Sequence, residues 1–196
     1  ERPDVLCAKI NEGRVAVLVD GSPFALIVPY LFTENFQTLD DYCMNPVYVS
    51  FLRIVKYIAF FLAILLPGLY VAISNFHPEL FPHALLFNVA SAQETTPFPL
   101  MIEALIINLI YEIMQEAGLR LPRPIGHAVG IVGALVIGES AVTAGIIGAP
   151  MVMVVALTAV SGFVVPSLHE TISFFKFAFI LIGGISGLYG IALGLL

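Results

Sequence analysis

Residues 57–73 read YIAFFLAILLPGLYVAI, an apolar run without a single charged residue. With its flanks, from Tyr48 to Phe76, it is long enough to cross a ~30 Å hydrocarbon core, which takes about 20 helical residues. The rest of the chain agrees. Of its 196 residues 59% are hydrophobic and 11% charged, and the mean hydropathy is +0.99. A soluble domain carries about 25% charged residues. This shortage excludes an ordinary water-soluble globule and a disordered tail. A formal net charge of -6, with Lys plus Arg numbering 8, excludes a nucleic-acid binder. The long apolar runs lie almost wholly in 49–196, while 1–48 reads as soluble. The expected architecture is mainly α. A polytopic helical membrane domain over 49–196, with four or five spans, some broken or re-entrant, follows the α/β end of a soluble domain over 1–48. The first residue is Glu1 rather than Met, which suits a piece of a longer protein. No cleavable signal peptide is visible.

In the soluble part, residues 2–12 suit a short helix stopped by Gly13. Arg14–Asp20 (RVAVLVD) and Phe24–Val28 (FALIV) are rich in strand formers and flank the turn signal Asp20-Gly21-Ser22-Pro23, so they predict a β-hairpin. Two strands alone are marginal in water. The hairpin is therefore expected to complete a sheet whose other strands lie upstream. Residues 30–47 suggest one or two short amphipathic helices, with Asp40 and Asp41 near a helix start. Cys7 and Cys43 have no CxxC spacing and no histidine at ligand distance, so they read as packed thiols.

Chemistry-bearing motifs are missing. His77, His83, His127 and His169 are scattered, and no metalloprotease, phosphate-loop or dinucleotide motif occurs. Gly138-Glu139-Ser140 fails the nucleophile-elbow pattern because Val142 stands at its final position. No catalytic residue, metal or cofactor is expected, and the chain does not read as an enzyme.

Arg53 and Lys56 sit at the start of the first span, as positive residues do on the cytoplasmic side. Pro67-Gly68 should kink that span. Residues 77–99 carry Glu79 and Glu94 but no Lys or Arg, which places them on the opposite side. Their apolar middle, Leu85–Ala92, suits the interface.

The next helix, residues 99–117 (PLMIEALIINLIYEIMQEA), is the most informative. At ~100° per residue Asn108, Glu112, Gln115 and Glu116 fall within an arc of about 100°. Glu103 lies roughly opposite Glu112. A carboxylate at the bilayer centre costs about 2.5 kcal/mol or more, so this stripe should face water or protein rather than lipid. Two readings stand. In one, Glu116 and Arg120 form an ion pair at the helix end and Glu112 is a partly solvated neighbour. In the other, Glu103, Asn108, Glu112 and Glu116 line an ion path. Arg120 and Arg123 mark a cytoplasmic loop.

Beyond them, Gly126, Gly130, Ala134 and Gly138 recur every fourth residue, a face for tight helix packing. Glu139 sits within that apolar run. Either the helix breaks there and Glu139 lines a cavity, making it a further ion-path candidate, or Gly138 permits close packing and Glu139 pairs with a neighbouring helix. An apolar run over 150–165 ends at Pro166. Ile172–Leu196 reads as a last span, with Lys176 near its start and Gly183 and Gly187 as a packing face. If both runs before Pro166 span fully there are five spans; a re-entrant or broken pair over 125–165 leaves four.

Several stretches together resemble the A-subunit family of bacterial spore germinant receptors: ERPD at 1–4, EGRVAVLVDGSPF at 12–24, LLPGLYVAI at 65–73, PFP at 97–99, EAL at 103–105, QEAGLRLPRPIG at 115–126 and IVGALVIGESAV at 131–142. The resemblance covers essentially the whole chain. It implies a multi-pass protein of the spore inner membrane, with a large cytoplasmic N-terminal domain and a cytoplasmic C-terminal stretch, which favours four spans. It implies partners: a transporter-like membrane B subunit that binds the nutrient, a lipoprotein C subunit, and other copies of the chain. It also implies function, an oligomeric channel for monovalent cations, opened by nutrient at the start of germination. Glu103, Glu112 and Glu116 stand where the family carries acids. Asn108 departs, since an acid is frequent there, and Glu139 departs, since a neutral amide is frequent there. A paralogous group encoded with the dipicolinic-acid channel shares these motifs. A secondary transporter and a structural scaffold of a spore membrane complex remain the alternatives.

Overall fold

The computed structural model describes residues 3–120, 133, 136 and 138–196. The chain divides into two compact units, Glu1–Tyr57 and Ile58–Leu196. Among the described residues it is mainly helical.

The first unit starts with helix α1 (Pro3–Asn11), which ends before Gly13. Gly13 has φ +87°, a left-handed conformation that only glycine adopts freely. Strands β1 (Val15–Leu18) and β2 (Ala25–Val28) follow as an antiparallel hairpin with Val15 opposite Val28 and Leu18 opposite Ala25. Val15, Val17, Leu18, Leu26 and Val28 are all exposed. Cys7 and Cys43 are free thiols, and both are exposed rather than packed. The reason for Cys7 is local: α1 buries none of its residues.

Two single-turn 3-10 helices, Phe32–Phe36 and Leu39–Cys43, replace the expected amphipathic helices. Phe36 is buried and stacks on Tyr57 with ring centroids 4.1 Å apart. Asp41 closes the second turn. It accepts hydrogen bonds from the Thr38 hydroxyl (2.7 Å) and the Thr38 amide (3.2 Å). Lys56 Nζ lies 3.4 Å from Asp41, and Arg53 Nε lies 3.6 Å from it. Burial of Asp41 favours its neutral form, but the Thr38 hydrogen bonds and the Lys56 charge outweigh it and lower the pKa. Arg53 and Lys56, expected as boundary cations, thus hold the pre-span turn.

Helix α2 (Pro46–Phe76) carries the decisive apolar run and continues through Pro67. In the second unit it is followed by the single 3-10 turn Pro78–Leu80, then α3 (His83–Glu94) and α4 (Leu100–Arg120). A helical stretch at 138–143 comes next, then α5 (Ala149–Phe163), the 3-10 turn Pro166–Leu168 and α6 (His169–Leu195). The core joins Val71 of α2, Leu100, Ala104 and Ile107 of α4, Ile147, Met151 and Val155 around α5, and Ile180 of α6.

Among the described residues two helical segments are long and apolar enough to cross a membrane, Pro46–Phe76 and Pro166–Leu195. Both are needed for the central crossing. A Cβ on Gly183 would stand 2.6 Å from the Gly68 carbonyl oxygen, and one on Gly68 would stand 2.6 Å from the Phe179 carbonyl oxygen. Glycine on each side lets the two backbones meet. Gly184 makes a similar approach to Met101 of α4.

The final segment differs from the expected unbroken span. Gly187 has φ 62° and ψ -151°, which interrupts α6. A Cβ on Gly194 would lie 3.1 Å from the Phe179 ring, and one on Gly190 would lie 3.3 Å from the Ile182 carbonyl oxygen. A straight helix would separate positions 179 and 194 by about 22 Å. The chain therefore doubles back at Gly187, and the arm after it packs on the arm before it. Hydropathy registers this hairpin as one continuous run. Helix α5 has 15 residues, about 22 Å of helix and short of a ~30 Å core.

Candidate functional site

Helix α4 sorts its residues by face. Ile102, Leu109, Ile113 and Glu116 form an exposed stripe. Glu103, Ala104, Ile107 and Asn108 are buried. The two acids on opposite sides of the helix each find a partner within the unit.

Glu103 is 1% exposed. Its carboxylate accepts the amide N–H of Gly148, the residue that opens α5. The first amides of a helix lack intrahelical partners, and its N-terminus carries partial positive charge. Glu103 satisfies both, so the structure places it as the cap that joins α4 to α5.

Glu112 faces α6. Its Oε1 accepts the Ser173 hydroxyl at 2.6 Å, and its Oε2 lies 3.3 Å from Lys176 Nζ. His169 Nε2 is 3.8 Å from Oε1. The Lys176 side chain is 4% exposed, against 28% for Glu112. Its ammonium sits 5.3 Å from the centroid of the Tyr111 ring and 5.5 Å from that of Phe177. Thr158, Gly162, His169, Ile172 and Ser173 line a small pocket beside it. The pocket has room for about one water. A carboxylate backed by a hydroxyl and flanked by ring faces is a cation-holding arrangement, and here the cation is Lys176.

Asn108 is fully buried on the same face. Its Nδ2 donates to the Ala104 carbonyl at 2.8 Å, and among the described residues its Oδ1 has no hydrogen-bond partner. Gln115 Oε1 is also buried and, among the described residues, unpaired. Glu116 is separated from this group. It lies on the exposed stripe and accepts Arg120 Nε and Nη2 at 2.8 and 2.6 Å, both side chains being more than half exposed. Glu139 is exposed, and among the described residues it makes no ion pair. Gly138 is buried in ordinary contact distance of Val152. Gly183 stands at the α2 crossing, and Gly187 at the break, against the Phe76 ring. Arg123, Gly126, Gly130 and Ala134 lie outside the described residues.

The partners of Glu112 escaped the sequence reading, although a signal existed. His169, Ser173 and Lys176 follow the i, i+4, i+7 spacing of Asn108, Glu112 and Gln115, so each helix presents one polar stripe within an apolar surface. Among the described residues no group of three or more His, Cys, Asp or Glu side chains could hold a metal ion.

The family model described as Bacillus/Clostridium GerA spore germination protein matches residues 1–196. The chain belongs to the GerA spore germination family. It is 45% identical to spore germination protein KA of Bacillus subtilis (strain 168), over 100% of this chain and 36% of that relative. It is 44% identical to spore germination protein GerLA of Bacillus cereus, over 100% of this chain and 40% of that protein. It is 43% identical to the uncharacterized membrane protein YfkQ of Bacillus subtilis (strain 168), over 99% of this chain and 38% of that protein. This GerA-family chain thus spans about two fifths of the length of the curated relatives it matches. No solved structure matches it.

Proposed function

We propose that the chain is the membrane part of a nutrient germinant receptor A subunit in the spore inner membrane, and that copies of it assemble into a nutrient-gated channel for monovalent cations. Residues 1–48 would end a larger cytoplasmic α/β domain; the exposed apolar strand residues of the hairpin support this. The receptor would include a membrane B subunit and a lipoprotein C subunit, and the A subunit would act without catalysis. Family membership over the whole chain supports the receptor role. One observation supports the cation path in particular: Glu112 is held inside the helical unit opposite a cation, with acceptor oxygens along its helix face that are unpaired among the described residues.

The test is flux through the complete receptor in potassium-loaded proteoliposomes. A mixture of amino acids, nucleosides and sugars should trigger potassium efflux down its gradient. An assembled receptor that binds a nutrient yet passes no ion would overturn the channel reading. The break in α6 also suits a carrier, because interrupted helices at membrane depth often frame transport sites. Accumulation of a solute against its gradient in the same vesicles would select that reading.

A further inference from the structure

The pair between Glu112 and Lys176 is expensive to keep where it is. A lysine within an apolar helix pack carries a desolvation penalty, whereas methionine of similar length would fill the space without it. Yet Lys176 lies in a ready-made ammonium site: one carboxylate oxygen at 3.3 Å and two aromatic rings between 5 and 6 Å. The helix face that supplies Glu112 also carries Asn108 Oδ1 and Gln115 Oε1, buried acceptors with no donor among the described residues. Along the axis they stand about 6 Å before and 4.5 Å after Glu112. Acceptor oxygens in line are what a dehydrating monovalent cation requires. A buried acceptor left unpaired is otherwise destabilising.

We propose that Glu112, with the Tyr111 ring face and the acceptors of Asn108 and Gln115, forms a monovalent-cation site, and that the Lys176 ammonium is a tethered cation that fills it and blocks passage until it is displaced. The proposal rests on the channel reading above. Lysine suits the role: its charge is a compact point on a flexible four-carbon stem, so it can leave the carboxylate without moving α6.

The experiment uses the complete receptor in potassium-loaded proteoliposomes, without nutrient. Lys176→Gln removes the tethered charge and should raise basal potassium leak by at least about tenfold, equivalent to about 1.4 kcal/mol. Methylammonium added outside should reoccupy the site and reduce that leak. Glu112→Gln combined with Lys176→Gln leaves neither partner of the pair charged and removes the carboxylate, so the leak should fall well below that of the single variant. Normal assembly of Lys176→Gln with no added leak overturns the plug, while nutrient-triggered efflux by the parent receptor still upholds the channel. A double variant that leaks as much as the single one, or a leak indifferent to methylammonium, shows loosened packing and overturns the site. A parent receptor that passes no potassium under any nutrient overturns both readings.

Discussion

Alanine at Gly183 tests the closest contact in the helical unit. Its methyl would stand 2.6 Å from the Gly68 carbonyl oxygen and 3.3 Å from Ile191 Cδ1. The nearer neighbour is backbone, so it cannot swing away, and the helices must separate or slide. Such overpacking costs about 1–3 kcal/mol. Against it stands the gain of alanine over glycine within a helix, roughly 0.5–1 kcal/mol. The net expectation is a loss of about 1–2 kcal/mol. At roughly 2–4 °C per kcal/mol for a chain of this size, the midpoint should fall by about 2–8 °C. Gly68→Ala should act alike, because its methyl meets the Phe179 carbonyl oxygen. The two costs should not add. Once one methyl has parted the helices, the second meets a widened gap, and residues in contact typically couple by about 0.5 kcal/mol or more. Gly162→Ala gives the opposite sign, since no described residue lies within 4 Å of its added methyl. The assay is thermal unfolding of the purified protein in detergent, followed by circular dichroism at the helical minimum, with size exclusion to confirm dispersity. If Gly183→Ala raises the midpoint as Gly162→Ala does, the backbones do not meet there and the packing argument is wrong.

Other residues yield sharper local tests. Glu103→Gln keeps an acceptor for the Gly148 amide and should cost about 0.3–1 kcal/mol of charge–dipole interaction. Glu103→Met strands that amide and should cost about 1–3 kcal/mol, with faster hydrogen exchange at the start of α5. Equal effects of the two would show that Glu103 is not a cap. Gly187→Ala places a side chain in a backbone region essentially reserved for glycine and beside the Phe76 ring, for a loss of roughly 1–3 kcal/mol. Spin labels at 179 and 194 in the parent chain should report a separation far below the ~22 Å of a straight helix; a distance near that value would refute the fold-back. For Asp41 the folded pKa lies below the unfolded value of about 3.9, so the stability it adds is complete above that value and lost as pH falls through the folded one. Asp41→Asn should therefore be less stable than the parent by a constant gap from about pH 7 to about pH 5, and the gap should close below about pH 4. A gap that persists in acid would remove the charge from the explanation.

Much of the local fold follows from local chemistry. Gly13 and the DGSP turn fix α1 and the hairpin because a left-handed glycine and a tight turn are decided within four residues. The apolar run at 57–73 defines α2 for the same reason: length and hydropathy need no partner. Residues 30–47 were harder, because the turns there depend on Thr38, Asp41, Lys56 and the Phe36–Tyr57 stack rather than on a helical period. The Gly187 reversal left no trace in hydropathy. Both arms of the hairpin are apolar, and a run of apolar residues reads the same whether it continues or folds back.

The acids of α4 show where a single helix stops being informative. Projection of the sequence onto a wheel groups Asn108, Glu112, Gln115 and Glu116, because they fall in one arc. It cannot divide that arc, since the dividing line is drawn by the neighbours. Helix α6 supplies Ser173 and Lys176 to Glu112, whereas Glu116, among the described residues, meets only Arg120 on its own exposed surface. Glu103, on the far side, is claimed by the first amide of α5. Two of the three acids thus have structural partners that no property of α4 predicts. What singles out Glu112 is the combination that neither helix reveals alone: a carboxylate matched to a buried ammonium, between oxygens unpaired among the described residues. A purely structural ion pair would tolerate replacement of both partners by packed neutral residues. A cation site would not, because the double neutral variant would fold and assemble yet lose the carboxylate on which conduction depends.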